Sequence, residues 1–84
     1  MYGFRSTFEN VDFAYNIQMR VSADYAHMSR AYRNGGRVWL ADYYAAIADR
    51  AYANARDLKA LKRDILTVWE RENAADKARR AGER

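Results

Sequence analysis

The chain contains one histidine, His27, and no cysteine. A general base needs a nucleophile or an orienting carboxylate nearby. Asp24 lies three residues before His27, but this spacing is common on helices and specific to no chemistry. A metal site would need further His or Cys ligands, and the sequence has none. We therefore interpret His27 as a surface residue and expect no metal and no cofactor.

The carboxylates also lack a catalytic pattern. Asp42 and Asp49 are seven residues apart and would share one side of a helix, with Arg50 directly after Asp49. Helical bundles that hold metals use a Glu-x-x-His spacing, which is missing here. Mixed charges of this kind are typical of a solvated, ion-paired helix face. The sequence thus predicts a protein that is not an enzyme.

A basic cluster is the first candidate binding site, and it consists of Arg56, Lys59, Lys62 and Arg63. Arg56, Lys59 and Arg63 recur at i, i+3 and i+7, so a helix would place them on one face. Such a face could contact phosphates or an acidic protein surface. Asp57 and Asp64 interrupt the cluster, and a plain solvated face remains the alternative.

Aromatic residues form the second candidate site. The chain has seven tyrosines, and adjacent Tyr43 and Tyr44 cannot both enter one small core. Tyrosine offers a large contact area and a hydroxyl that tolerates water, which suits protein interfaces. Filling of a narrow helical interface is the other interpretation. We assign Trp39, Tyr43, Tyr44 and Tyr52 to the partner-binding set, and Trp69 to the core.

Two helical stretches must position these residues. The first is predicted over about residues 7–33, with Ser6 and Glu9 at capping-box spacing before it. Its predicted apolar stripe is Ala14, Ile17, Val21, Tyr25, Met28 and Tyr32. Asn34-Gly35-Gly36 then favours a tight reversal, because glycine adopts the left-handed conformation that ends helices. The fold class is therefore all-α, an antiparallel hairpin around Gly35-Gly36.

The second stretch covers about residues 38–78, and its apolar residues recur at helical spacing. They are Leu40, Tyr44, Ile47, Ala51, Leu58, Leu61, Ile65 and Trp69. Two alternatives stay open: one long helix, or two helices with a break near residues 54–57, where Asn54 and Asp57 disfavour a helix interior. The break would give a three-helix bundle. A continuous helix would outrun its partner and need a dimer or another protein. Residues 79–84 are expected to be a frayed tail.

The whole chain is short enough for one domain, residues 1–84. Its formal charge is +4, and the excess of basic residues lies mainly in residues 56–84. No stretch approaches the roughly 20 apolar residues of a membrane span. We expect a cytoplasmic protein without membrane contact.

The small size, the absence of Cys and Pro, and the many Ala, Arg and Tyr residues resemble small phage-encoded proteins. Among these, the chain is most similar in general character to anti-CRISPR inhibitors. The resemblance implies a non-catalytic protein that covers the surface of a protein partner or nucleoprotein complex. The alternative is a small basic helical dimer that binds nucleic acid through Arg56–Arg63 and the tail residues Lys77, Arg79 and Arg80.

Overall fold

The computed structural model describes residues 4–82, with the side chains of residues 5–82. It contains two helices, α1 (Phe4–Asn34) and α2 (Val38–Gly82), packed against each other as an antiparallel hairpin. The predicted all-α hairpin is therefore confirmed. Of the two alternatives for the second half, the single long helix is correct and the three-helix bundle is wrong.

Both helices are longer than the sequence pattern predicted. α1 begins at Phe4, so Ser6 lies inside the helix and does not cap it; Glu9 instead accepts a 3.0 Å hydrogen bond from Arg5, one turn earlier. α2 includes residues 79–82, and residues 83–84 lie outside the described residues. In its last turns, where a frayed tail was expected, Asp76 pairs with Arg79 and Arg80.

The reversal between the helices is a tight turn that ends α1 and starts α2. Gly36 has a φ of 81°, a left-handed conformation that costs other residues about 1–2 kcal/mol. Its N–H donates to the Arg33 carbonyl at 3.1 Å, and the Arg37 N–H donates to the Tyr32 carbonyl at 2.9 Å. These two bonds form a Schellman motif. The Arg37 carbonyl then accepts from Ala41 and opens α2.

The helices meet along a line of side chains that we call the seam. On α1 its members, all buried or half-buried, are Phe8, Val11, Tyr15, Gln18, Ser22, Tyr25, Ser29 and Tyr32. On α2 they are Ala41, Tyr44, Ala48, Ala51, Ala55, Leu58, Lys62, Ile65 and Trp69. Spacings of three and four alternate on both helices. This is the 3.5-residue repeat of a coiled coil.

Alanine forms the most buried part of the seam. The four buried apolar residues among those described are Ala41, Ala48, Ala51 and Ala55. Opposite Ala41 lies buried Ser29, whose Oγ donates a 2.7 Å hydrogen bond to the Ala41 carbonyl. A side chain can reach the backbone of the facing helix only where the helices approach closely. Small residues permit this approach, and it leaves little room for large side chains between the helices.

The predicted stripe of α1 is rotated relative to the observed seam. Ile17 was assigned to the core, but it is exposed, as is Phe13 beside it. Gln18, a polar residue outside the predicted stripe, is half-buried and accepts a 3.4 Å hydrogen bond from Asn54 Nδ2 of α2. The predicted stripe of α2 agrees better with the observed seam, although Leu61 is exposed. The seam also contains Ala41, Ala48 and Ala55, which the predicted stripe did not include.

The hairpin is a thin rod of 73 × 15 × 12 Å. Its radius of gyration is 20.1 Å, whereas a compact domain of this length would have about 12 Å. α2 has 45 residues and α1 has 31, so α2 extends past the first described residue of α1. Neither helix has a stretch that is long and apolar enough to cross a membrane, over the residues that the structure describes.

Candidate partner-binding surfaces

The first surface is a pair of exposed aromatic rings beside the turn. Trp39 and Tyr43 lie one helical turn apart on α2, with ring centroids at 5.8 Å and planes inclined by 14°. Trp39 is 76% exposed and Tyr43 is 55% exposed. The two rings therefore stack on each other while most of their surface stays in solvent. We call this the aromatic pair.

Tyr44, another residue of the predicted partner-binding set, lies in the seam beneath the aromatic pair. It is half-buried because α1 sandwiches its ring: Tyr25 and Tyr32 both stack on it at 5.3 Å. Tyr43 packs edge-on against Tyr44 at 6.0 Å. Both interpretations of the tyrosines therefore apply, but to different residues, since some fill the seam and others remain outside.

Charged residues fix the same end of the hairpin. Arg33 donates to Asp42 at 2.7 Å and so ties the end of α1 to the start of α2. The Arg37 guanidinium lies 5.9 Å from the centroid of the Tyr32 ring. Arg37 also lines a shallow cavity of about 330 Å³ with Val38, Trp39 and Leu40. The aromatic pair is thus flanked by a cation and an apolar recess.

Lys62, also in the predicted partner-binding set, lies apart from the other three cations of the basic cluster. Its side chain is only 24% exposed and pairs with Asp12 of α1. The ammonium group also lies over the rings of Phe8 at 5.4 Å and Tyr15 at 5.2 Å. An ammonium surrounded in this way is held within the seam. The i, i+3, i+7 series of Arg56, Lys59 and Arg63 points to a different side of α2.

These three cations line the second surface, a groove of about 330 Å³ between α1 and α2. We call it the basic groove. Tyr15 and Met19 of α1 and Ala55 and Ala60 of α2 supply its apolar lining. Tyr52 also lines it and is half exposed. The predicted residues Tyr52, Arg56, Lys59 and Arg63 are therefore brought together.

The predicted partner-binding set consequently splits in two. Tyr43 and Tyr52 are nine residues apart, about 14 Å along the helix axis, and they lie on different sides of α2. Sequence reasoning missed Tyr15 and Met19 as groove residues, because nothing in the sequence states which α1 residues face Arg56. It also missed Arg37 beside Trp39, although a cation adjacent to an exposed aromatic residue was a usable signal.

His27 is exposed on α1, away from the seam. Within residues 4–82, no group of three His, Asp or Glu side chains is placed to hold a metal ion. Comparison of the chain with protein-family models, curated proteins and solved structures gave no match.

Proposed function

We propose that this chain is a non-catalytic binding protein that regulates or inhibits a larger macromolecule by occupying its surface. The observation that carries the proposal is the aromatic pair, two large rings held in contact with each other and left in solvent. Trp and Tyr dominate the binding energy of protein interfaces, especially where they are rigid before binding. A tryptophan that is 76% exposed has no comparable role in stabilising the isolated hairpin.

The amount of exposed surface supports the same proposal. The chain has 6829 Å² of accessible surface, whereas a compact monomer of 9.8 kDa would have about 5,200 Å². The excess is about twice the roughly 800 Å² that each partner contributes to a standard protein–protein interface. A rod that leaves this much surface in water is well suited to lie along a partner.

The resemblance to small phage-encoded anti-CRISPR inhibitors gives the proposal a specific form. In that form the partner is a CRISPR effector, a complex of protein and nucleic acid, and the protein acts in the cytoplasm. The chain would contact a protein face of the effector through the aromatic pair. Its positive charge does not suit imitation of DNA.

A pull-down from host lysate tests the proposal. Wild-type protein should retain a partner, and the double variant Trp39→Ala with Tyr43→Ala should lose it, by at least about tenfold in affinity if both rings are hot spots. Phe13→Ala is the matched control, because Phe13 is 67% exposed but lies on α1. Retention of the same partner by the double variant would refute the proposal, and a retained CRISPR component would support the anti-CRISPR form.

Nucleic-acid binding is the second candidate function, and the basic groove is the observation that favours it. Arg56, Lys59 and Arg63 have no acidic partner within salt-bridge distance in the described part of the chain. The proposed tail contribution is weaker, since Arg79 and Arg80 both pair with Asp76. Phosphate binding would fall steeply with salt, by about one unit of log–log slope per phosphate contact.

A further inference from the structure

The basic groove combines free cations with an apolar floor, and this combination restricts what can fill it. Arg56, Lys59 and Arg63 line the groove at i, i+3 and i+7 of α2. Met19 of α1 and Ala60 of α2 line the same groove, are both exposed and supply apolar surface. The occupant must therefore present negative charge and apolar groups on the same side.

The cations of the groove are available to a partner. Arg5, Arg33 and Arg79 each pair with a nearby carboxylate. The groove cations do not, and in this they resemble other exposed cations of the described residues, such as Arg20 and Arg71. Asp12, a carboxylate of α1 that faces α2, is already held by Lys62. No carboxylate within residues 4–82 lies in salt-bridge range of Arg56, Lys59 or Arg63. Three like charges thus face one groove without a counter-ion.

We infer that the basic groove binds one amphipathic helix of a partner protein, with acidic residues at i, i+3 and i+7 and apolar residues between them. Arg56 and Arg63 are seven residues apart, about 10.5 Å along the axis. A second helix repeats its side chains with the same rise, so three carboxylates at this spacing meet the three cations. A helix that lies in the groove between two antiparallel helices buries its apolar face against Met19 and Ala60.

The observations favour a helix over a single nucleic-acid strand. Sequence-tolerant binding of single strands needs aromatic faces on which successive bases stack. One face of Tyr15 is occupied by the Lys62 ammonium at 5.2 Å, which leaves Tyr52 as the groove's open ring. The cationic series is also short, because Asp49 occupies the equivalent position seven residues before Arg56. A phosphate backbone that extended in that direction would meet a carboxylate.

This inference goes beyond the proposed function, because the groove and the aromatic pair lie on different sides of α2. A partner could engage either surface without the other. A protein that uses both would hold two surfaces of one partner, or two partners, along a single rod. The two proposals can therefore fail separately.

The probe is a labelled synthetic helical peptide with Glu at i, i+3 and i+7 and Leu between, titrated with the full chain and followed by fluorescence anisotropy. We expect saturable binding to wild type. The double variant Arg56→Glu with Arg63→Glu should weaken it at least about tenfold, because two attractive pairs become repulsive. Arg20→Glu with Arg71→Glu makes the same change in net charge outside the groove, and it should bind as wild type does.

A second measurement on wild-type protein guards against misfolded variants. Amide chemical shifts should change on peptide addition at Met19, Tyr52 and Lys59, and Trp39→Ala with Tyr43→Ala should leave the affinity unchanged. The inference is overturned if the peptide does not bind, or if a peptide of scrambled order binds equally well. It is also overturned if the shifts change elsewhere, or if a single-stranded oligothymidine binds the groove in preference to the peptide.

Discussion

At Ser29 and Ala41 the helices are close enough for a hydroxyl to reach a backbone carbonyl at 2.7 Å. Neither residue is an obvious core residue in the sequence, since one is polar and the other contributes a single methyl group. Their small size is what allows the close approach. The large residues gain burial only at the edges of this contact, and for that reason the structure contains no large, fully buried side chain among those described.

Lys62 shows how a charged residue is accommodated at a position that faces the opposite helix. Asp12 neutralises it, and the rings of Phe8 and Tyr15 cover it. A polar residue at such a position fixes the register of a coiled coil at some cost in stability. Here it aligns residue 62 of α2 with residue 12 of α1.

Charge reversal at Lys62 should therefore weaken the fold, whereas reversal at Lys59 should not. Lys62→Glu places a carboxylate beside Asp12 and removes both ring contacts, so we expect the free energy of unfolding to fall by about 1–2 kcal/mol. Lys59→Glu, one turn away and exposed, should change it by less than about 0.5 kcal/mol. Thermal unfolding of both variants checks this. Equal effects would contradict the placement of Lys62 in the seam.

The turn was predictable from Asn34-Gly35-Gly36, but the two glycines have different roles. Gly36 needs its left-handed φ of 81°. Gly35 has no such φ, and an added Cβ there would lie 3.6 Å from the carbonyls of Ala31 and Tyr32, an ordinary contact. The turn therefore depends on one glycine.

Substitution of the two glycines by alanine should separate these roles. Gly36→Ala should lower the free energy of unfolding by about 1–2 kcal/mol, the cost of left-handed backbone for a residue with a Cβ. Gly35→Ala should leave it unchanged or raise it by up to about 1 kcal/mol, because alanine restricts the unfolded chain. Urea unfolding measures both. A larger loss at Gly35 would contradict this account of the turn.

The sequence left open whether α2 is one continuous helix. The apolar residues keep their phase from Ala51 to Leu58 and Ile65, which favoured one helix, while Asn54 and Asp57 favoured a break. The structure resolves the conflict through tertiary contacts. Asn54 donates across the seam to Gln18 at 3.4 Å, and buried Ala55 packs beside it. The low intrinsic helix propensity of Asn54 and Asp57 is overridden because a second helix packs along this segment.

The seam of α1 was less predictable, and Ile17 and Gln18 show why. Apolar periodicity alone places Ile17 inside and Gln18 outside, and the structure has the reverse. Close packing selects the line that contains Ser22 and Ser29, since small residues let the backbones approach. Side-chain hydrophobicity and side-chain size therefore favoured different faces of α1. The sequence of α1 alone does not show which of the two properties decides the face that packs against α2.

At the scale of the whole molecule, the 73 × 15 × 12 Å rod presents two surfaces. The aromatic pair lies at the turn, and the basic groove lies further along α2 on another side. The residue types of both were predictable, including Trp39, Tyr43, Arg56 and Arg63. Their division into two sites follows only if α2 is one continuous helix, and the sequence left that question open at residues 54–57.

The central claim is that small residues in the seam let the two helices pack closely, so that the large rings of Trp39 and Tyr43 stay exposed and can bind a partner. Urea unfolding of three variants at the turn end tests it most directly. We expect Ala41→Leu to lower the free energy of unfolding by about 1–3 kcal/mol, because Ala41 is fully buried and the seam has no room. Ala46→Leu, on the exposed side, should change it by less than about 0.5 kcal/mol.

Trp39→Ala with Tyr43→Ala completes the set. This double variant should lower the free energy of unfolding by only about 1 kcal/mol or less, because only the contact between the two rings is lost. It should nevertheless abolish partner binding. The account would be contradicted if loss of the two rings unfolded the protein, or if Ala41→Leu were as harmless as Ala46→Leu.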